Sequence, residues 1–259
     1  MNLNLTGKRA LVCGASQGIG LAVAREFADL GAGVTMLARS ATSLEAAMKS
    51  LRTPAGQKHS MLLADMADTE ALRTALASLD HPIDIVVHNT GGPPPGLAHE
   101  AETAAFESAF RLHLIAYQTI VRAVVPGMKE RKEGRIINVI STSVKQPLPN
   151  LGVSNTIRGA VAQWSKTLAN ELGPFGITVN NVLPGATSTE RLTAIIKNKS
   201  AKSGVTEAEA TDEMLHEIPL RRFAKPEELA YAVAFLAGPS GAYINGINLP
   251  VDGGRTGAL

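Results

Sequence analysis

Short apolar runs rich in β-branched residues recur along the chain, and the interval between successive runs is long enough for one helix. Seven of these runs predict strands, namely KRALVCG, AGVTMLAR, HSMLLAD, IDIVVHN, GRIINVI, GITVNNVLP and INLPV. Segments with apolar residues three and four positions apart lie between them, as in GLAVAREFADLG, TEALRTALASL and AYQTIVRAVVPGM. This alternation predicts an α/β fold with a parallel sheet that is covered by helices on both faces.

One segment interrupts the alternation. Residues 190–218, after the sixth predicted strand, are polar and rich in Lys and Glu. They could be a disordered insertion, but their helical spacing favours a mobile helical lid over a substrate cleft. A lid of this composition does not identify the substrate.

Composition excludes several classes of protein. The chain has 259 residues, 45% hydrophobic and 19% charged, with a formal net charge of +2. Acids and bases are spread evenly, so we expect no nucleic-acid partner, and no apolar run reaches the roughly 20 residues of a membrane span. The single cysteine, Cys13, excludes an intrachain disulfide and favours a reduced, cytoplasmic protein. The N-terminus does not have the pattern of a signal peptide, and we expect no metal site.

The clearest candidate for a binding site follows the first strand, in GASQGIG. Gly14, Gly18 and Gly20 lie between a strand and a helix, where glycine allows a tight turn and a close approach of the backbone to a pyrophosphate. The helix N-terminus adds free N–H groups and a positive dipole end. We therefore predict a dinucleotide cradle that also includes the loop residues Ser16, Gln17 and Ile19.

The end of the second strand indicates which dinucleotide is bound. An acid at this position accepts hydrogen bonds from the adenosine ribose, whereas a base favours a 2′-phosphate. Arg39 and Ser40 occupy the position, with no acid beside them. The sequence favours NADP(H) over NAD(H), although Arg39 could also be an ordinary surface arginine.

Taken together, these motifs resemble the short-chain dehydrogenase/reductase family over nearly the whole chain, and most closely its 3-oxoacyl-acyl-carrier-protein-reductase-like members. The matching segments are GASQGIG, LLADMAD, HNTGG, GRIINVIS, VNNVLPGATST and GINLPVDGG. The resemblance implies one doubly wound Rossmann domain over residues 1–259, with a nicotinamide cofactor at the carboxyl ends of the strands. Beyond the cradle, it implies cofactor contacts from Asp65, Met66, Asn89, Gly91, Arg158, Pro184, Gly185, Thr187 and Thr189.

The family's catalytic set is an asparagine, a serine, a tyrosine and a lysine. The tyrosine protonates the substrate oxygen, and the lysine lowers its pKa and holds the nicotinamide ribose. Ser141 matches the serine, but Ser154 occupies the tyrosine position, Arg158 the lysine position and His113 the asparagine position. No shift of frame restores the pair, because none of the tyrosines, Tyr117, Tyr231 and Tyr243, is followed four residues later by lysine.

Several groups could replace the missing phenol. Ser154 and Arg158 are one helical turn apart, so Arg158 can hold the ribose while remaining charged. His113, which titrates near neutrality by residue type, Lys145 in the loop after Ser141, or water could deliver the proton. Each has a structural alternative: a core histidine, a solvated lysine, and a Ser141 that only caps its loop.

The sequence favours an atypical NAD(P)(H)-dependent carbonyl reductase or alcohol dehydrogenase acting on a small molecule. A nucleotide-binding protein without redox turnover and an isomerase or lyase remain alternatives. The loop GGPPPG, residues 91–96, is expected to be rigid and to narrow the cleft. The apolar helix AAFESAFRLHLIAYQTIVRAVVPGM, together with the resemblance, predicts a homotetramer or homodimer.

Overall fold

Seven strands form one parallel sheet in the computed structural model of the chain, which describes residues 1–258. The strands are β1 (Arg9–Cys13), β2 (Gly33–Ala38), β3 (Ser60–Leu63), β4 (Ile85–His88), β5 (Gly134–Val139), β6 (Ile177–Pro184) and β7 (Asn248–Val251). Their spatial order is β3-β2-β1-β4-β5-β6-β7. All seven predicted strands are confirmed, and so is the doubly wound Rossmann fold.

Helices cover both faces of this sheet. They are α1 (Gly18–Asp29), α2 (Ala41–Met48), α3 (Thr69–Ala77), α4 (Thr103–Phe110), α5 (Ala116–Arg131), α6 (Gly152–Leu172), α7 (Glu190–Ser203), α8 (Glu207–His216) and α9 (Pro226–Ala237). The core on one face includes residues of α3, α5 and α6, and the core on the other includes residues of α1, α2 and α9. No helix within residues 1–258 is both long and apolar enough to cross a membrane.

The central strands are apolar along their whole length because both of their faces are covered. Every residue of β2 and β5 is buried. Successive residues of β1 point to opposite faces, so Leu11 packs in the core of α3, α5 and α6 while Val12 packs in that of α1, α2 and α9. The strand order reverses between β1 and β4, the point at which doubly wound sheets bind ligands at their carboxyl ends.

A π-helical turn, Arg111–Ile115, joins α4 to α5 without a break in the helical run. Such a turn inserts one extra residue, widens the helix and is frequent at functional sites. His113 lies at its centre and is fully buried. The long apolar helix AAFESAFRLHLIAYQTIVRAVVPGM is therefore present as α4, this turn and α5.

Residues 190–218 fold largely as the two helices α7 and α8. A backbone bridge closes the base of this segment: Ser188 N–H donates to Ala224 O at 2.8 Å, and Ala224 N–H donates to Ala186 O at 2.9 Å. We call this bridge the base clip. The helical spacing of the segment is explained by these helices, and its role as a lid stays a prediction.

Candidate active site

The glycine loop forms a tight cradle between β1 and α1. Gly14 and Gly18 have φ angles of 59° and 56°, in the left-handed region that glycine adopts most readily. A Cβ atom on Gly20 would lie 2.2 Å from the Gly14 carbonyl oxygen, so only glycine fits there. Because α1 begins at Gly18, its unpaired N–H groups border the cradle. This geometry fits the pyrophosphate of a dinucleotide.

The residues around the glycines have different roles. Asn89 donates from Nδ2 to the carbonyl oxygens of Cys13 (3.3 Å) and Gly14 (3.4 Å), so it holds the loop in place from behind. Gln17 is exposed, and its side chain does not cap α1. Ser16 is partly exposed, and Ile19 packs against the core of α1, α2 and α9.

The carboxyl ends of β2 and β3 border the region expected for the adenosine. Arg39 is exposed immediately after β2. Ser40 is the N-cap of α2, and its Oγ accepts from Ser43 N–H at 3.3 Å. After β3, Asp65 is exposed and accepts from Ala67 N–H at 2.9 Å, while Met66 is buried. Arg39 is thus the positive charge that this rim presents to solvent.

The turn between β6 and α7 approaches the cradle from the opposite side. Pro184 ends the strand and Gly185 follows it, both half-buried. The buried Thr187 hydroxyl donates to Gly185 O at 3.1 Å. Thr189, the N-cap of α7, donates to Thr187 O at 3.2 Å. Its methyl group is 3.4 Å from the point that a Cβ atom on Gly18 would occupy, so the α7 N-terminus and the glycine loop face each other.

The loop after β5 carries Ser141 and Lys145. Ser141 Oγ accepts from Ser143 N–H at 3.1 Å and caps the 3-10 turn Thr142–Val144. The hydroxyl of Ser141 therefore has a local structural role, although the side chain is partly exposed and its proton is available to a ligand. Lys145 ends the turn, half-exposed.

Helix α6 brings Ser154 and Arg158 beneath this loop. Both are buried, and the Ser154 hydroxyl makes no hydrogen bond within residues 1–258. Arg158 donates from Nη1 to Val139 O, at the end of β5, at 3.1 Å, and its Nε has no partner among the described residues. Burial lowers the pKa of Arg158; Tyr117 raises it and the charge of Arg191 lowers it.

A buried hydrogen-bonded chain crosses from the loop after β4 to the π-helical turn. His113 Nδ1 is 2.6 Å from Thr90 Oγ1, which is 3.2 Å from the Tyr117 hydroxyl. His113 Nε2 has no partner within residues 1–258. Burial, then the charges of Arg158 and Arg191, lower the pKa of His113 to about 3. The expectation that His113 titrates near neutrality is wrong, because the imidazole is buried and the charges of two arginines lower its pKa further.

Tyr117 is a residue whose place in the site the sequence analysis missed. Its ring is fully buried and stacks on His88, with ring centroids 4.3 Å apart. Burial raises the pKa of its hydroxyl, and the Arg158 charge opposes that rise. Its spacing of four residues from His113 could have indicated a shared helix face. It was excluded as the catalytic tyrosine because no lysine follows it four residues later.

Arg191, near the start of α7, was also missed. It donates from Nη1 to Gly92 O at 3.2 Å, across the cleft from its own helix. The two leading glycines of residues 91–96 differ in the space beside them. Space is open beside Gly91, whereas a Cβ atom on Gly92 would lie 2.7 Å from Arg191 Nη2 and 3.5 Å from Arg158 Nη2.

The proline-containing loop is tied to the start of α6. Gly96 N–H donates to Asn150 O and Gly152 N–H donates to Gly96 O, each at 2.9 Å. These two bonds fix the loop relative to the helix that carries Ser154 and Arg158. The predicted rigidity of the loop thus has a structural basis beyond its prolines.

Comparisons with known proteins find reductases and a dehydrogenase that match nearly the whole chain. Residues 14–256 match the family model described as enoyl-(acyl carrier protein) reductase. The chain is 31% identical to gluconate 5-dehydrogenase of Gluconobacter oxydans (99% of this chain, 97% of the relative) and 33% identical to a 3-oxoacyl-acyl-carrier-protein reductase of Vibrio harveyi (97% and 98%). Among solved structures, L-sorbose reductase from Gluconobacter frateurii, complexed with NADPH and L-sorbose, is 32% identical over the full length of both chains, with a TM-score of 0.93.

Proposed function

Because this chain belongs to the short-chain dehydrogenase/reductase family, we propose that it is an NADPH-dependent carbonyl reductase that has relocated the family's proton donor. The chain is an oxidoreductase of the short-chain type, acting on CH–OH or C=O groups. The main support for a relocated proton donor is the row of hydrogen-bonded side chains His113, Thr90 and Tyr117 beside the Arg158 guanidinium.

NADP(H) is the favoured cofactor. The glycine cradle fits its pyrophosphate, and the exposed Arg39 at the end of β2 suits its 2′-phosphate. When bound, the cofactor supplies a hydride to the substrate's carbonyl carbon. The chain's own residues must then position the carbonyl, stabilise the charge that develops on its oxygen, and provide a proton.

We place Ser154 and Arg158 at the family's tyrosine and lysine positions. Their spacing from Ser141 supports this, as does their burial on the face of α6 that packs against the loop after β5. Arg158 holds the nicotinamide ribose hydroxyls and stabilises developing negative charge. Ser141 and Ser154 donate hydrogen bonds to the substrate oxygen. An aliphatic hydroxyl is a much weaker acid than a phenol, so Ser154 positions the substrate and does not protonate it.

The proton comes from Tyr117. The Tyr117 O–H donates to Thr90, and the Thr90 O–H donates to His113 Nδ1, an arrangement that uses every hydroxyl proton and leaves the Nε2–H tautomer. His113 Nε2 is buried, so the side chains that cover it must move aside for the carbonyl oxygen to reach it. As the alkoxide forms there, His113 passes its Nε2 proton to it and takes one from Thr90, which takes one from Tyr117. Burial disfavours the resulting tyrosinate and the charge of Arg158 opposes that effect. The tyrosinate regains its proton from water in the cleft through His113 and Thr90. A neutral His113, with a pKa of about 3, suits this relay.

Turnover is tested first with a panel of ketones, 3-oxoacyl thioesters, ketoses and keto acids, following NADPH absorbance. We expect reduction of at least one panel member. The double variant Ser154→Tyr with Arg158→Lys should raise kcat if it restores a direct acid, since general acid catalysis contributes about 10²- to 10⁴-fold. The matched control is Ser154→Phe with Arg158→Lys, which lacks the phenol hydroxyl. If wild type and both double variants are all inactive, the chain binds nucleotide without redox turnover.

The relay is tested by Tyr117→Phe, which keeps the ring that stacks on His88. We expect kcat to fall about 10²-fold or more while the NADPH dissociation constant stays within about threefold. Tyr231→Phe, at an exposed tyrosine, is the control. Lys145→Ala tests the competing donor: loss of kcat there, with Tyr117→Phe unaffected, would place the acid on the loop after β5.

A further inference from the structure

Two arginines from different helices meet beside the proposed catalytic residues. Arg158 of α6 and Arg191 of α7 both direct an Nη2 atom to the point above Gly92, at 3.5 Å and 2.7 Å from the position of a Cβ atom. The arginines are close enough for the charge of Arg191 to lower the pKa of Arg158. Like charges that lie close together repel each other, and an anion bound between them would remove that repulsion.

Neither guanidinium has an acidic partner. Within residues 1–258, Arg158 and Arg191 form no ion pair with Asp or Glu, and their recorded hydrogen bonds go to the backbone oxygens of Val139 and Gly92. Arg158 is buried, and its Nε is also without a partner. Buried charges in folded proteins are normally paired, so the buried Arg158 lacks a counter-ion, and the exposed Arg191 adds a second unpaired positive charge beside it.

The position of the pair favours an anionic group on the substrate over a phosphate of the cofactor. The pyrophosphate cradle lies at Gly18 and faces Thr189, whereas Arg191 extends away from it to Gly92. Arg191 is also near enough to His113 to lower the pKa of the imidazole, which puts it on the side of the cleft where the carbonyl is reduced. A planar guanidinium fork matches a carboxylate in a bidentate contact.

We propose that the carbonyl substrate carries a carboxylate, which Arg191 binds together with the free Nη2 of Arg158. This inference rests on the proposed reductase function and specifies its substrate class. Arg191 belongs to the segment 190–218, so that segment selects substrates by charge. The exposed Arg191 remains accessible to an entering anion, while the buried Arg158 is held at Val139 O.

The test uses pairs of compounds that differ in one charge: 5-ketogluconate and L-sorbose, acetoacetate and its methyl ester, and levulinate and its methyl ester. In the first pair, 5-ketogluconate has a carboxylate where L-sorbose has a hydroxymethyl group, at the end of the sugar that is farther from the carbonyl. Wild type should reduce the acid of at least one pair with a higher kcat/KM than its neutral partner. Arg191→Gln should lower kcat/KM for that acid about 10- to 100-fold and change the neutral compound less than about threefold.

Three controls separate loss of the carboxylate contact from a general loss of positive charge and from weaker cofactor binding. Lys197→Gln removes an equal charge from an exposed position of α7 and should leave the preference intact. Arg191→Lys should recover part of the preference, because it keeps the charge but loses the fork. The NADPH dissociation constant of Arg191→Gln should stay within about threefold of wild type.

A binding measurement distinguishes failure of this inference from failure of the reductase function. The same pairs are titrated into the complex with NADP⁺ and followed by thermal stability. If no compound is reduced but an acid is preferred in binding and loses that preference in Arg191→Gln, the carboxylate site stands and the reductase function fails. If no acid is preferred in either measurement, if both members of a pair weaken equally in Arg191→Gln, or if NADPH affinity falls instead, the carboxylate site is wrong.

Discussion

His113 and His88 are buried side chains that hydrogen-bond to neutral groups, Thr90 and Asn138 respectively. Burial lowers the pKa of His113 to about 3, with Arg158 and Arg191 as further causes, and that of His88 to about 4. In the unfolded chain, both imidazoles titrate near 6.5. The two histidines therefore make the folded state sensitive to acid.

We predict that stability falls as the pH is lowered from about 6.5 towards 4. Below 6.5 the unfolded chain binds protons that the folded chain does not, and each histidine then costs about 1.4 kcal/mol per pH unit until its folded pKa is reached. Urea unfolding at a series of pH values measures the slope. His113→Asn should make that slope shallower by about 1.4 kcal/mol per unit, whereas His99→Asn, at an exposed position, should not. Equal slopes in all three proteins would contradict the assignment.

Arg158 and Ser154 should contribute unequally to cofactor affinity. Arg158→Ala removes charged donors to the ribose and should weaken NADPH binding about 10- to 100-fold. Ser154→Ala removes at most one neutral hydrogen bond, about 0.5–1.5 kcal/mol, and should weaken binding less. Fluorescence titration of NADPH measures both, with thermal melting to confirm that each variant folds and Arg158→Lys as the variant that keeps the charge. A larger effect from Ser154→Ala would show that the two positions are misassigned.

At the scale of elements, strands were easier to predict than the site. A strand such as β5 is buried on both faces, so its sequence must be apolar throughout and the pattern is visible in one dimension. The glycine cradle is also local, because its turn and helix N-terminus depend on adjacent residues. Ser141, Ser154 and Arg158 could be located by spacing along the chain.

The remaining site residues depend on contacts between distant elements. Arg191 meets Gly92 across 99 positions of sequence, and nothing in its polar surroundings distinguishes it from the lysines of α7. The π-helical turn has no composition signature. The burial of His113 and its hydrogen bond to Thr90 depend on tertiary packing, so the sequence does not predict them. Burial is also the main cause of the lowered pKa of His113, which the residue type alone predicted wrongly.

The end of β2 should decide cofactor preference. Arg39 is exposed where a 2′-phosphate would lie, and Ser40 already caps α2. Arg39→Asp should reverse or abolish the preference for NADPH over NADH, lowering the ratio of their affinities at least about tenfold, because a carboxylate repels the 2′-phosphate and accepts from the ribose. Titration of both cofactors into wild type and variant measures the ratio. A wild type that binds NADH more tightly would contradict the role of Arg39.

For the whole molecule, α4 and α5 present a surface suited to self-association. Phe110 and Ile115 remain 39% and 36% exposed on this helical run, and a two-fold axis beside them would bury both. We predict a homodimer or homotetramer by sedimentation at micromolar concentration, and a shift towards smaller species in Phe110→Asp. Phe175→Asp, an exposed aromatic outside this run, is the control. A wild type that sediments as a monomer would contradict the prediction.

The base clip between Ala186, Ser188 and Ala224 gives residues 189–223 the character of a replaceable module. Its two ends are held together by backbone hydrogen bonds close to the sheet. Because the entropy of closing a loop grows slowly with its length, segments of other lengths can be grafted between the same ends at small cost to the rest of the fold. Substrate preference can thus diversify, by selection or by engineering, while Thr189 at the α7 N-terminus stays tied to the cradle that it faces.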